Sequence, residues 1–293
     1  MRLLYKTTNL FFIDQILKLN AMNTILMKTF FSGLTILLIF VNPVQFEIDT
    51  ETDSYEGKTL MAVFAHPDDE SLVSPVLYQY ASRGAEVILV IATDGRLGFT
   101  DFTDYDDEAE LAAVRRDELK CASDLLGAEL IHLDYEDQFG ISQGLGNLIT
   151  QTRGLLDDLI SIIEDRKPDA IITFGPDGFS NHMDHRLVGI SVTQAVLSRS
   201  WEKTPSIYYY GVQSSVLDED GQMFMGVHDR YLNVQIPFTE REAEVAKQAA
   251  LCHASQFTPE FVQNWMDTMQ EWGNTIHFRE FVAPLEEKKS GLF

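Results

Sequence analysis

Two short segments of the chain hold residue types that bind and activate: His66-Pro67-Asp68-Asp69-Glu70 and Asn181-His182-Met183-Asp184-His185. Imidazole nitrogen and carboxylate oxygen are the donors of a catalytic zinc site, which takes three protein ligands and leaves one position for water. His66 and Asp69 stand three positions apart on a turn that Pro67 stiffens, so both can face one point, and His185 can arrive from the second segment. Consecutive aspartates on a tight turn point in different directions, so Asp69 can meet an ion while Asp68 faces a water molecule. The chemistry this combination suits is hydrolysis, with a metal-activated water as nucleophile and a carboxylate to take its proton. Taken singly, each segment has an ordinary reading. A strand-end histidine is usually packed or solvated, and Asp-Asp-Glu before a helix usually serves as a cap in a favourable dipole position. Glu70 is read that way, as a first-turn residue. The joint occurrence of the two segments behind two apolar strands is what favours a metal.

Those strands are Leu60 to Ala65 and Ala170 to Phe174, apolar enough to be covered on both faces. From Lys58 onward, strands alternate with amphipathic helices. Further strands are expected at Val87–Ala92, Leu130–Leu133, Ser206–Tyr210, Leu232–Ile236 and His277–Val282. Helices are expected at Ser71–Ser82, Glu108–Leu126, Leu148–Asp165, His185–Leu197 and Glu240–Leu251. The pattern predicts an α/β fold, a Rossmann-like mostly parallel sheet with helices on both faces in three layers. Ligands of such sheets bind at the carboxyl ends of the strands, where both histidine segments fall. A nucleotide binder of this class needs G-x-G-x-x-G after its first strand, and His66-Pro67-Asp68 stands there instead. Val212 to His228 has no period and reads as an excursion near the site mouth. Asp94 to Asp107 is acidic but lacks the glycine and terminal glutamate of a calcium loop, and reads as a solvated loop leading into a helix N-terminus.

The segments AHPDDE (Ala65 to Glu70) and GPDGFSNHMDH (Gly175 to His185) resemble the two signature motifs of the PIG-L/LmbE-like family, zinc-dependent de-N-acetylases of N-acetylglucosamine-containing substrates. Three weaker segments agree in order: ATDG at Ala92, RRDELKCASDLLGA at Arg115 and CHASQ at Cys252. The likeness runs from about Lys58 to Leu285. It implies His66, Asp69 and His185 as metal ligands, with Zn2+ as the ion and Fe2+ as an alternative. It implies Asp68 as general base and His182, in protonated form, as the group that assists the developing oxyanion. Asp184 is placed to orient one of the imidazoles. For substrate contact the resemblance points to Arg115, Asp137 and His253, against structural readings as a solvated helix residue, a loop turn and a cap. Two positions depart from the family pattern: Asn181, where glycine is common, and Arg96, where an acidic or small residue is usual. Both bear on which substrate is taken. The implied function is removal of the N-acetyl group from an N-acetylglucosamine-type sugar or glycoconjugate. The alternatives are a zinc amidase acting on another amide-bearing glycoside and an exported, inactive sugar-binding module.

Forty-five acidic against 22 basic residues give a formal charge of −23, which excludes a nucleic-acid partner because the Lys/Arg patches that bind phosphate backbones are missing. The expected partner is a small amino sugar or glycoconjugate. Residues 1–46 read as a signal peptide or N-terminal anchor: Met27-Lys28 precedes the short apolar run Phe30 to Val41, and no A-x-A-like site follows. If Met27 is the start, residues 1–26 are not translated. Residues 47–293 are then a single LmbE-like domain, exported or anchored by that first segment, which offers the one expected membrane contact. Two cysteines make no disulfide framework. Cys121 is expected to pack on the apolar stripe of Leu111, Val114, Ala122 and Leu125, and nothing in the sequence brings it to Cys252.

Overall fold

A computed structural model describes residues 54–217 and 226–281. The expected leader, Val282 at the end of the last expected strand and part of the Val212–His228 excursion lie outside these residues. Seven strands form one sheet in the order β3-β2-β1-β4-β5-β7-β6. They are β1 (Thr59–Phe64), β2 (Glu86–Thr93), β3 (Glu129–Tyr135), β4 (Ala170–Phe174), β5 (Ser206–Tyr210), β6 (Val234–Pro237) and β7 (Thr275–Phe281). The first five are parallel, whereas β7 runs antiparallel to both β5 and β6.

The helices are α1 (Ser74–Ser82), α2 (Glu108–Leu126), α3 (Leu145–Arg166), α4 (Met183–Leu197), α5 (Glu240–Cys252) and α6 (Pro259–Glu271). Helices α1, α2 and α5 pack together, and α3 packs against α4. Right-handed crossovers account for this division. The chain winds outward from β1 to β3 and then returns to β4, so the helices of the two halves fall on opposite faces. Leu60 to Phe64 and Val87 to Ala92 are all buried, as expected of strands with helices above and below. Each fully buried aliphatic or aromatic side chain there stabilises the fold by ~1.5–3 kcal/mol.

Strand order reverses between β1 and β4, which are direct neighbours with Leu60 opposite Ala170. A crevice opens at such a reversal because the connections leaving the two strands diverge to opposite faces. Both histidine segments leave the sheet at this point.

Four local differences from the sequence pattern have physical causes. The first expected helix is split: Asp69–Leu72 forms a 3-10 turn, and α1 starts again at Ser74 with Pro75 in its first turn, where a missing N–H costs nothing. The strand expected from Leu232 begins at Val234 because Asp229–Tyr231 is a 3-10 turn. Helix α6 was not expected, yet Thr258 accepts from the Phe261 N–H, Pro259 opens the helix, and Val262 and Met269 are buried on one face. The buried face of α2 is Leu111, Arg115, Leu119, Ala122 and Leu126, rotated from the expected stripe, so Leu125 is exposed. Cys121 is exposed as well. It forms a disulfide with Cys252, Cα to Cα 5.9 Å, rather than packing as a free thiol. The two cysteines are 131 residues apart and meet because α2 and α5 lie side by side.

Candidate metal centre

His66 opens the turn that follows β1, with its ring buried between carboxylates. Its Nδ1 faces Asp69 Oδ2 at 3.5 Å, while its Nε2 lies 3.1 Å from Asp184 Oδ2 and 3.3 Å from Asp137 Oδ1. His185 approaches the same aspartate from the other side, with Nε2 3.2 Å from Asp69 Oδ1. Its Nδ1 meets the Gly178 carbonyl at 3.0 Å and the Ser180 hydroxyl at 3.1 Å. The ring lies flat on Phe174, the last residue of β4, with centroids 4.1 Å apart and planes 4° from parallel. Asp69 is itself anchored, since its Oδ2 accepts the backbone N–H groups of Ala65 and His66 at 3.1 and 2.8 Å. One carboxylate therefore stands between two imidazole nitrogens, each ring being held from behind by an oxygen.

That arrangement fits a divalent ion by its donor chemistry. Metal-binding histidines commonly donate the second ring N–H to a carboxylate or backbone carbonyl, which fixes the tautomer and ring direction. Asp184 plays that part for His66, and the Gly178 carbonyl for His185. Two groups of side chains bring potential ligand atoms within 4.8 Å of one another: His66, His182 and His185, and also His66, Asp137 and Asp184. The second group engages His66 through Nε2. Asp184 Oδ2 also accepts the Gln138 N–H at 2.8 Å, so its buried carboxylate serves as a support for the ring. Burial alone would lower the His66 pKa, but Asp137, Asp184 and Asp69 hold it well above the ordinary imidazole value. Burial would raise Asp69, and His185 and His66 instead keep it well below the usual carboxylate range. Asp137 is likewise held low against burial, chiefly by its hydrogen bond to His66.

Asp68 adopts φ 126°, a region that disfavours every residue except glycine, and such strain persists only where the surroundings over-determine it. Its backbone N–H donates to Glu70 Oε2 at 3.1 Å, and its carboxylate accepts from Arg115 Nη2 at 3.0 Å. The same guanidinium donates to the carbonyls of Pro67 and Gly95. A Cβ built at Gly95 or Gly98 would lie 2.3 or 2.4 Å from Arg115 Nη1, so these glycines make room for the guanidinium. Burial raises the Asp68 pKa to about 6, with Asp69 adding to the rise and Arg115 opposing it. Its side chain remains 19% exposed, so it can meet solvent.

His182 lies beside the two other imidazoles, with ring centroids 4.8 Å from His66 and 5.0 Å from His185. The expected protonated form is corrected here. Burial, then the neighbouring His66 and His185, lower its pKa to about 4, so it is neutral near pH 7. Its Nδ1 accepts the Asp184 N–H at 3.2 Å and caps helix α4. Its remaining proton is therefore on Nε2, which makes His182 a neutral hydrogen-bond donor.

The three residues expected to contact substrate are all turned inward. Arg115 is 3% exposed and occupied by Asp68, Pro67 and Gly95. Asp137 accepts the Leu97 N–H at 3.1 Å and faces His66. His253 is fully buried, with Nε2 2.5 Å from Glu70 Oε1. Arg115 supports Asp68 directly and His253 does so through Glu70, while Asp137 supports His66. Glu70, read from sequence as a first-turn residue, is also fully buried and links His253 to the backbone of Asp68. Asp94 is another supporting residue, its Oδ1 accepting the Asp137 N–H at 3.3 Å and its Oδ2 the Arg96 Nε at 2.8 Å. Its place in ATDG directly after β2 was the available signal. Asn181 has φ 63°, a left-handed conformation that asparagine tolerates and glycine prefers, so its replacement of glycine leaves the loop path intact. His132 meets the Thr93 carbonyl through Nε2 at 2.9 Å.

Residues 61–196 match the family model described as PIG-L: GlcNAc-PI de-N-acetylase. A 1D-myo-inositol 2-acetamido-2-deoxy-alpha-D-glucopyranoside deacetylase of Corynebacterium glutamicum (strain R) is 31% identical over 144 residues, 44% of this chain and 49% of that protein. The chain thus spans about half the length of the curated relatives it matches first. Among solved structures, N,N'-diacetylchitobiose deacetylase from Pyrococcus horikoshii superposes with a TM-score of 0.58 at 22% identity, over 76% of this chain and 84% of that one. The 4-carboxy-2-hydroxymuconate hydratase GalB from a Pseudomonas putida strain superposes equally well, with TM-score 0.58 at 14% identity, over 80% of this chain and all of that one. These two likenesses are of fold, and the fold carries more than one chemistry.

Proposed function

We propose that this chain, whose residues 61–196 match the PIG-L family model, is a zinc-dependent hydrolase that removes the N-acetyl group from an N-acetylglucosamine-type sugar or glycoconjugate. The observation that carries the reading is the Asp69 carboxylate set between His66 Nδ1 and His185 Nε2, with a second carboxylate, Asp68, on the same turn. We assign His66, Asp69 and His185 as ligands of the ion. A bound divalent cation supplies Lewis acidity and a water of lowered pKa.

The chain's own residues do the rest. Asp68, poised near neutrality, takes a proton from the attacking water and later passes it to the departing amine. Arg115 fixes the direction of that carboxylate. His182 donates its Nε2–H to the oxygen of the acetyl carbonyl as charge gathers there, without itself carrying charge. Asp184 and Asp137 hold His66 in the tautomer that leaves Nδ1 free for the ion.

Export is proposed with this function. The Cys121–Cys252 bridge supports it, because disulfides persist mainly in oxidising compartments. No described helix is long and apolar enough to cross a membrane.

The deciding experiment is a screen of acetylated amino sugars for free-amine release by the purified protein, with chelator treatment and zinc or ferrous readdition. Amine and acetate in equal amounts, lost with chelator and restored by metal, are expected. Amide cleavage confined to glycosides whose amide is not an acetamide would point to the other amidase, and bound sugar without cleavage to the binding module.

A further inference from the structure

The proposed base is gripped from two helices, and the grips meet at the disulfide. Helix α2 sends Arg115 to the Asp68 carboxylate and the Pro67 carbonyl. The residue after the end of α5, His253, holds Glu70, which accepts the Asp68 N–H. One turn beyond Arg115, Glu118 accepts both the N–H and the hydroxyl of Ser255, at 2.7 and 2.6 Å. One further turn on, Cys121 is bonded to Cys252, the residue next to His253. Arg115, Glu118 and Cys121 follow at three-residue spacing, so each neighbours the next along α2, from its buried face at Arg115 to its exposed edge at Cys121. Of these, the Arg115 and Glu70 contacts reach Asp68 itself, the position held at φ 126°.

We propose that the Cys121–Cys252 bridge is a positioning device for Asp68: by locking α2 to the end of α5, it keeps the Arg115 and Glu70–His253 arms pressed on the strained turn. Cys121, Cys252, Glu70 and His253 are positioning residues for the reaction rather than groups that touch substrate. The consequence for turnover rests on the assignment of Asp68 as base, whereas the mechanical coupling does not.

The test measures both. Hydrogen exchange at the Asp68 amide is compared between the oxidised protein and Cys121→Ser/Cys252→Ser, with the amides of β1 as internal control. The bridgeless protein is expected to exchange the Asp68 amide about tenfold faster, with β1 unchanged. Turnover of an acetylated amino sugar should fall about tenfold, because small displacements of a catalytic group are costly, while KM and bound zinc stay the same. Glu70→Gln, which keeps an acceptor for the Asp68 N–H, should retain more turnover than Glu70→Ala. If the double variant folds poorly, the wild-type protein treated with a phosphine gives the same comparison; the S–S bond becomes two thiols as the phosphine takes up the oxygen of water. An Asp68 amide indifferent to the bridge in both preparations overturns the proposal. Bridge-dependent exchange in a protein that releases no amine would uphold the coupling and overturn the deacetylase assignment instead.

Discussion

The two connections that make the centre are built in opposite ways. The turn after β1 is buried and gripped on every side. Asp69 is tied to the backbone of Ala65 and His66, Glu70 to His253 and the Asp68 N–H, and Asp68 to Arg115. The connection after β4 is held mainly by Phe174 beneath His185, the Gly178 carbonyl behind it and the Asp177 side chain on the Phe179 N–H, and it leaves Met183 53% exposed. The difference shows how a sheet edge can divide labour. On the proposed assignment, the turn carrying His66, Asp69 and the base Asp68 is over-determined, whereas the other connection supplies His185 from the first turn of a helix and leaves Met183 exposed beside it.

The comparison breaks most visibly at Asp69. Asp69→Ala removes the carboxylate shared by the two imidazoles and leaves a positively shifted His66 beside His185. Zinc stoichiometry measured by atomic spectroscopy should fall to background and amine release with it, a loss on the order of a thousandfold or more, as expected when a catalytic ion is absent. Asp68→Asn should separate the functions of the same turn: zinc is retained, and turnover drops by about 10²–10⁴, the usual contribution of general acid–base catalysis. In the unaltered protein, activity needs Asp68 ionised, so it should rise with pH through about 6, the value to which burial brings this carboxylate. A bound cation would move that limb to lower pH. A pH profile with no acid limb above pH 4 in the metal-loaded and metal-exchanged protein alike would assign the base elsewhere.

His182 tests the open side. His182→Gln keeps an N–H donor but loses the aromatic ring, and should lower turnover by roughly 10²-fold while leaving zinc in place, in the range found for one oxyanion donor. Loss of the metal would instead make His182 a ligand, as the clustering of the three imidazole nitrogens allows. Asp184→Asn bears on both connections, since it sits on the β4 side and holds the ring of the β1 side. Metal affinity should weaken by about 10–100-fold, measurable by competition with a chromogenic chelator.

Much of this architecture was legible in the chain. The period and length of the apolar runs fixed β4 and β5 to the residue, and α2 as well, because its start at Asp107 and its end at Gly127 carry ordinary capping residues. The histidine and aspartate segments were visible because each lies within a few residues of a strand end. What was hidden depends on long-range packing. Glu70 and His253 are 183 positions apart, and neither has a local signal that distinguishes an ion pair from a helix cap. The orientation of Arg115 depends on which side of α2 faces the sheet, and a polar residue on an apolar stripe pulls the reading toward solvent. The disulfide was unreadable for the same reason, since only the adjacency of α2 and α5 brings its partners together. Helix α6 is a different case: Thr258-Pro259 is a start signal, and the apolar spacing after it is helical.

The smallest expected effect concerns stability, and it sharpens the contrast between the two connections. Burial would lower the His253 pKa, but Glu70 raises it above the ordinary value of 6.5. A histidine raised on folding contributes stability that is fully present below its unfolded pKa and is lost as pH rises through the folded value. The metal-free protein should therefore lose melting temperature as pH climbs above neutrality, by about 2–4 °C for each kcal/mol of pairing removed in a domain of this size. Glu70→Gln should flatten that slope, since the partner that raises the imidazole is gone. Met183→Ser, on the exposed side of the other connection, should leave the curve unchanged because no buried charge depends on it. Equal slopes in the wild-type and Glu70→Gln proteins would mean that the buried pair contributes no net free energy to folding. The grip on the first turn would then have to come from the Arg115 side and the bridge, and the contrast between the connections would be one of geometry rather than of stability.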